Sequence, residues 1–100
     1  MKIYIDIDDT ICRTSGLDYS NSTPLKERIE KINDLYRQGN TIIYWTARGS
    51  ETGIDWKDIT EKQLNNWGAL HHSLLFKKPA YDLFICDKAI NSEHFFSKSE

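Results

Sequence analysis

Apolar positions along the chain fall into short runs of strand character, separated by longer stretches with helical spacing. Lys2 to Ile7 is β-branched and aromatic and runs into an acidic, Thr-containing turn, the pattern of a buried strand feeding a loop. Residues 12–23 are rich in Ser, Thr, Asn, Asp and Gly and lack any apolar period, which predicts a loop or flap over that strand end. Thr23 then offers an N-cap and Pro24 suits a first helical position. Leu25, Ile29, Ile32 and Leu35 recur at helical spacing until Gly39 stops the run. Thr41 to Trp45 predicts a second strand, leading into the polar loop Thr46-Ala47-Arg48-Gly49. Trp56, Ile59, Leu64 and Trp67 predict a second helix ending at Gly68, and His72–Phe76 and Asp82–Cys86 predict a third and a fourth strand on either side of Lys77-Lys78-Pro79. This alternation argues for an α/β fold with a mostly parallel sheet flanked by helices, because parallel neighbours need crossover connections.

With 100 residues, 39% of them hydrophobic, the chain can build one core, so residues 1–100 are read as a single domain and 92–100 as a short surface extension. A formal net charge of −2 offers no basic groove, which makes nucleic acid an unlikely partner. No apolar run approaches the roughly 20 residues of a bilayer span, and Asp6, Asp8 and Asp9 interrupt any secretory apolar region near Met1. A cytoplasmic protein with no membrane partner is the expectation. Cys12 and Cys86 have no metal or disulfide spacing and are read as reduced thiols.

The chemistry-bearing residues gather at strand ends. Asp6 and Asp8 follow the first strand, Thr46 follows the second and Asp87 the last, and ligands of open α/β sheets bind at that edge. The i, i+2 spacing turns Asp6 and Asp8 toward the same side. Close carboxylates repel, and a hard divalent cation such as Mg²⁺ offsets that repulsion. The expected metal ligands are Asp6, the Asp8 backbone carbonyl and Asp87.

The run Ile5-Asp6-Ile7-Asp8-Asp9-Thr10-Ile11 resembles the D-x-D-x-T signature of the haloacid dehalogenase (HAD) superfamily. Ile43 to Arg48 looks like its second motif, Lys78-Pro79 like its third and Asp82 to Ala89 like its fourth, in the family's order. The resemblance implies a Rossmann-like core, with Asp6 as the phosphoryl-accepting nucleophile and Asp8 as general acid/base. The chemistry of the residue types agrees. A carboxylate attacking phosphorus divides one displacement into two easier ones, and a second carboxyl group serves the leaving alkoxide and then the hydrolytic water. Thr10, Thr46, Ala47 and Arg48 are candidates for phosphate or substrate binding, with Lys78 and Mg²⁺ offsetting charge on the transferring group. Arg48 has an alternative role, pinning a loop by ion pairing. Lys78 is chosen over Lys77 for its adjacency to Pro79.

Two features depart from larger relatives. Cys86 stands where many members carry an acid beside the Asp87 equivalent. In addition, about 35 residues separate Thr10 from Thr46, enough for a flap and a helix but not a cap domain. A capless site invites cover from the 12–23 loop or from a second copy, so a homo-oligomer is plausible. Other residues have ordinary explanations. His71 and His72 lack a third ligand, Asp9 suits a solvated turn, Asp82 suits a strand start or loop, and Tyr44, Trp45, Trp56 and Trp67 suit packing.

These observations lead to an expected Mg²⁺-dependent phosphomonoesterase acting on a small phosphate ester. The likeness to small HAD phosphatases of surface-polysaccharide synthesis favours a sugar phosphate. The competing expectations are a nucleotide or polynucleotide-end phosphatase, and a non-catalytic phosphate- or partner-binding protein.

Overall fold

β1 (Lys2–Ile5) carries Ile5 into the interior, and the chain beyond it continues inward through Ile7 and Ile11, both with no exposure. A computed structural model describes residues 1–97. β1 pairs in parallel with β4 (Thr41–Trp45), and β4 pairs in parallel with β5 (Ser73–Leu75), giving a three-stranded sheet in the order β1-β4-β5. The crossovers are helices, as parallel pairing requires: α1 (Lys26–Arg37) between β1 and β4, and α2 (Lys57–Asn66) between β4 and β5. Ile29 and Ile32 of α1 and Leu64 of α2 meet Ile42 and Tyr44 of β4 in one core. The result is an α/β domain with no separate cap domain among the described residues.

The flap is more ordered than its composition predicts. β2 (Cys12–Arg13) pairs antiparallel with β3 (Thr23–Pro24), and Tyr19–Asn21 forms a 3-10 turn between them. Thr23 and Pro24 therefore do not open α1 as expected. Proline tolerates a strand edge, and α1 starts two residues later, with Leu25 at the N-cap position and no side-chain cap. The Leu25 amide instead donates to the Ile11 carbonyl at 2.9 Å. Gly39, at φ +96°, ends α1 as its position predicts.

Two further expectations are corrected. Asp82–Cys86 is not a strand. β1 pairs only with β4 among the described residues, and Leu83 and Ile85 are 76% and 90% exposed. An apolar run becomes a strand only when it meets a free ladder, and this one meets none. The segment from Ser92 is also more than a surface extension as far as it is described: Ser92–Ser97 form α3, which buries Phe96 in the core. Glu93 of α3 holds Arg28 Nη2 at 2.7 Å and Arg13 Nη2 at 2.9 Å. The rest of the predicted extension, 98–100, lies outside the described residues.

His71 and His72 make packing and hydrogen-bond contacts with the sheet and α1. The Ile42 amide donates to His72 Nδ1 at 3.0 Å, and the His72 ring stacks on Tyr36. His71 packs edge-on to Tyr44. Asn33, buried on α1, receives the Leu70 amide at 2.9 Å and donates to the Gly68 carbonyl at 2.8 Å, tying α1 to the end of α2.

Candidate functional site at the β1 and β4 strand ends

A tight turn follows β1, with the Thr10 and Ile11 amides both donating to the Ile7 carbonyl and Asp9 at φ +59° in the left-handed region. This turn fixes the directions of the carboxylates around it. Asp6 is half-buried. Its Oδ1 accepts the Ile7 amide at 3.0 Å, and its Oδ2 lies 3.3 Å from Lys78 Nζ. Burial pushes the Asp6 carboxyl above the ordinary value of 3.8, Lys78 opposes that shift, and the Asp8 charge adds a smaller upward push.

Lys78 reaches Asp6 because its backbone is tied to the loop after β4. The Lys78 amide donates to the Thr46 carbonyl at 3.2 Å, and Ser50 Oγ donates to the Lys78 carbonyl at 2.7 Å. Of the two adjacent lysines, Lys78 is the one beside Asp6. Lys77 is exposed at φ +66°. Thr46 is buried, and its Oγ1 accepts the Arg48 amide at 3.1 Å. Ala47, half-buried, lines a cleft of about 120 Å³ together with Leu17, Tyr19, Ile54, Trp56 and Ala80. Leu17 and Tyr19 belong to the 12–23 segment, so the flap does border this end of the sheet. Thr10 is half-buried and engages through its backbone, the carbonyl accepting Arg28 Nη1 at 3.3 Å.

Asp8 lies in a different environment from Asp6. Its Oδ1 accepts Thr14 Oγ1 at 2.6 Å and Arg48 Nη2 at 2.9 Å, and its Oδ2 accepts Arg48 Nε at 3.0 Å. Arg48 thus forms an ion pair, and its partner is Asp8. Sequence reasoning missed Thr14, Ser22, Thr60 and Gln63, which surround this pair from the flap and α2. No spacing rule links them, because the flap and α2 meet only through the tertiary fold.

Of the expected metal donors, Asp6 is half-buried at the end of β1 and Asp87 is exposed. Asp87 lies with its Oδ1 3.9 Å from the Cys86 thiol, and the described residues contain no group of three or more His, Cys, Asp or Glu side chains suited to a metal ion. Asp6 faces Lys78 and the Asp8 carboxylate faces Arg48, so both carboxylates already have cationic partners. Cys12 is a buried free thiol whose pKa burial pushes up, the reverse of an activated cysteine, while Cys86 is free and exposed.

No family model matches this chain, and no curated protein matches it. Among solved structures it is similar to the crystal structure of an MCSG target from Vibrio cholerae, with a TM-score of 0.86 and 26% sequence identity over 96% of this chain and 87% of that one. That likeness spans nearly the whole fold and carries no activity with it. No helix among the described residues is long and apolar enough to cross a membrane.

Proposed function

We propose that this chain is a phosphomonoesterase of the HAD type with a Rossmann-like core, in which Asp6 is the nucleophile and Asp8 the proton-transfer group. The observation that carries the reading is the half-buried Asp6 carboxylate at the end of β1, 3.3 Å from the Lys78 ammonium, with an ion-paired carboxylate two residues on. A substrate phosphate brings negative charge to Lys78 and releases Asp6 from that contact. An Asp6 oxygen then bonds to phosphorus while the bond to the ester oxygen breaks, and the leaving oxygen takes a proton from Asp8, which enters this step as the carboxylic acid with one oxygen turned from Arg48 to the leaving group. Water next attacks phosphorus, gives its proton to Asp8, and frees inorganic phosphate and the Asp6 carboxylate. Thr46, Ala47 and Thr10 are the neighbouring groups for phosphate oxygens.

The favoured substrate is a small cytoplasmic sugar phosphate, supported by the resemblance to surface-polysaccharide phosphatases and by a net charge of −2 that disfavours polymeric nucleic acid. Mg²⁺ belongs to the proposal through its expected donors Asp6, the Asp8 carbonyl and Asp87. Held by these donors, the ion would offset charge on the transferring phosphoryl group. The exposed position of Asp87 favours a second reading, a phosphate-binding protein without turnover.

The test is phosphate release from sugar phosphates, nucleotides and an aryl phosphate, with Mg²⁺ and with chelator, for wild type and Asp6→Asn. Metal-dependent release that disappears in Asp6→Asn supports the enzyme. Release that persists in the variant removes Asp6 as nucleophile, and phosphate binding without any release selects the second reading.

A further inference from the structure

We infer that Arg48 is a positioning residue that locks the Asp8 carboxylate to the 12–23 flap and to α2, and is not a ligand of the substrate phosphate. The positioning rests on geometry alone. Its catalytic consequence rests on the phosphomonoesterase reading.

An arginine side chain carries five N–H donors, one on Nε and two on each Nη. In Arg48 all five are committed: Nε to Asp8 Oδ2 at 3.0 Å, Nη1 to Thr60 Oγ1 at 3.0 Å and Gln63 Oε1 at 2.6 Å, and Nη2 to Asp8 Oδ1 at 2.9 Å and Ser22 Oγ at 3.3 Å. The Tyr19 ring lies 4.9 Å from the guanidinium carbon and covers one face. Arg48 is only 2% exposed. A phosphate oxygen would have to displace one of these partners to reach it.

The surrounding hydroxyls have a single consistent order. Thr14 Oγ1 donates its one proton to Asp8 Oδ1 at 2.6 Å, so in the 2.7 Å contact between Thr14 and Ser22 it is Ser22 that donates. Ser22 in turn accepts from Arg48, closing a ring of Asp8, Arg48, Ser22 and Thr14. Gln63 extends the ring, its Nε2 donating to the Tyr19 carbonyl at 2.6 Å. Arg48 therefore ties the flap and α2 to Asp8. A bidentate guanidinium fixes both carboxylate oxygens in plane, which a point-charge ammonium cannot do.

Arg48→Lys keeps the charge and removes the fork. Three-bond couplings between Hα and Hβ of Asp8 in solution NMR report its χ1, and this measurement needs no substrate. One rotamer is expected in the wild type and averaged couplings in Arg48→Lys; unchanged couplings would overturn the inference. In kinetics, kcat on an alkyl phosphate, whose leaving oxygen needs a proton, is expected to fall about tenfold or more, with a smaller loss on an aryl phosphate. The inhibition constant of inorganic phosphate is expected to stay within about twofold. A phosphate affinity that falls about tenfold, with equal losses on both esters, would instead make Arg48 a phosphate ligand. If Arg48→Lys does not fold, Ser22→Ala opens the same ring and is expected to move the same readouts in the same direction by less; no change in the Asp8 couplings there would also overturn the inference. Absence of turnover in the wild type would sink the phosphatase reading, while the Asp8 couplings still decide the positioning.

Discussion

Lys78 Nζ stands 3.3 Å from Asp6 Oδ2 although the two residues come from opposite parts of the chain, and the backbone tie of Lys78 to Thr46 is what brings them together. Burial nevertheless outweighs this pairing and raises the Asp6 pKa above 3.8. The native state then holds more protons than the unfolded chain between the two values, so ionising Asp6 subtracts stability as pH rises through that window. Asp6→Asn is expected to be at least as stable as wild type at neutral pH and to lack this decline, as measured by urea denaturation from about pH 3 to 7. The acid limb of kcat/KM in the wild type should lie above 3.8, because the nucleophile must be ionised.

Glu93 has the opposite sign. Hydrogen bonds from Arg28 and Arg13 hold its carboxyl below the usual 4.5, so its contribution is present above that value and is lost as pH falls through the lowered one. Glu93→Gln should lower Tm at neutral pH, and the gap from wild type should close in acid. An equal gap at both pH values would show that the ion pairs do not hold α3.

Tyr44 is fully buried and its hydroxyl has no hydrogen-bond partner among the described residues. Burial alone pushes the phenol pKa upward. An unpaired buried hydroxyl costs stability, so Tyr44→Phe should raise the unfolding free energy by about 1 kcal/mol in chemical denaturation. A loss of similar size would mean that the hydroxyl is satisfied in solution.

Gly49 follows Arg48 at φ +80°, and a Cβ there would lie 2.1 Å from the Ile54 carbonyl oxygen. Backbone cannot yield as a flexible side chain does. Gly49→Ala is therefore expected to cost about 2 kcal/mol or more and to disturb the loop that carries Arg48. Equilibrium unfolding gives the cost, and amide shifts of residues 46–50 report the disturbance.

Local periodicity along the chain accounts for most of the regular elements. The spacing of Ile29 and Ile32, the β-branched run at 41–45 and the glycines at 39 and 68 led to β1, α1, β4, α2 and β5, and the crossovers made their sheet parallel. Lys78, the lysine singled out by its adjacency to Pro79, is the one that lies beside Asp6. Tertiary structure alone decided the rest. Pro24 can begin a helix or lie on a strand edge, and pairing with Cys12 chose the strand. The run Leu83-Phe84-Ile85 has strand composition, yet without a ladder partner it stays irregular and leaves its apolar side chains exposed. Phe96 sits in a tail of polar character, and the hold of Arg28 on Glu93 helps dock that tail on the core. The Arg48 ring draws on the turn after β1, the flap, the loop after β4 and α2, and no local pattern records which of those side chains will meet. Propensity acts over a few residues, whereas ladders, buried ion pairs and the committed donors of a guanidinium depend on which distant segments the packed core brings into contact.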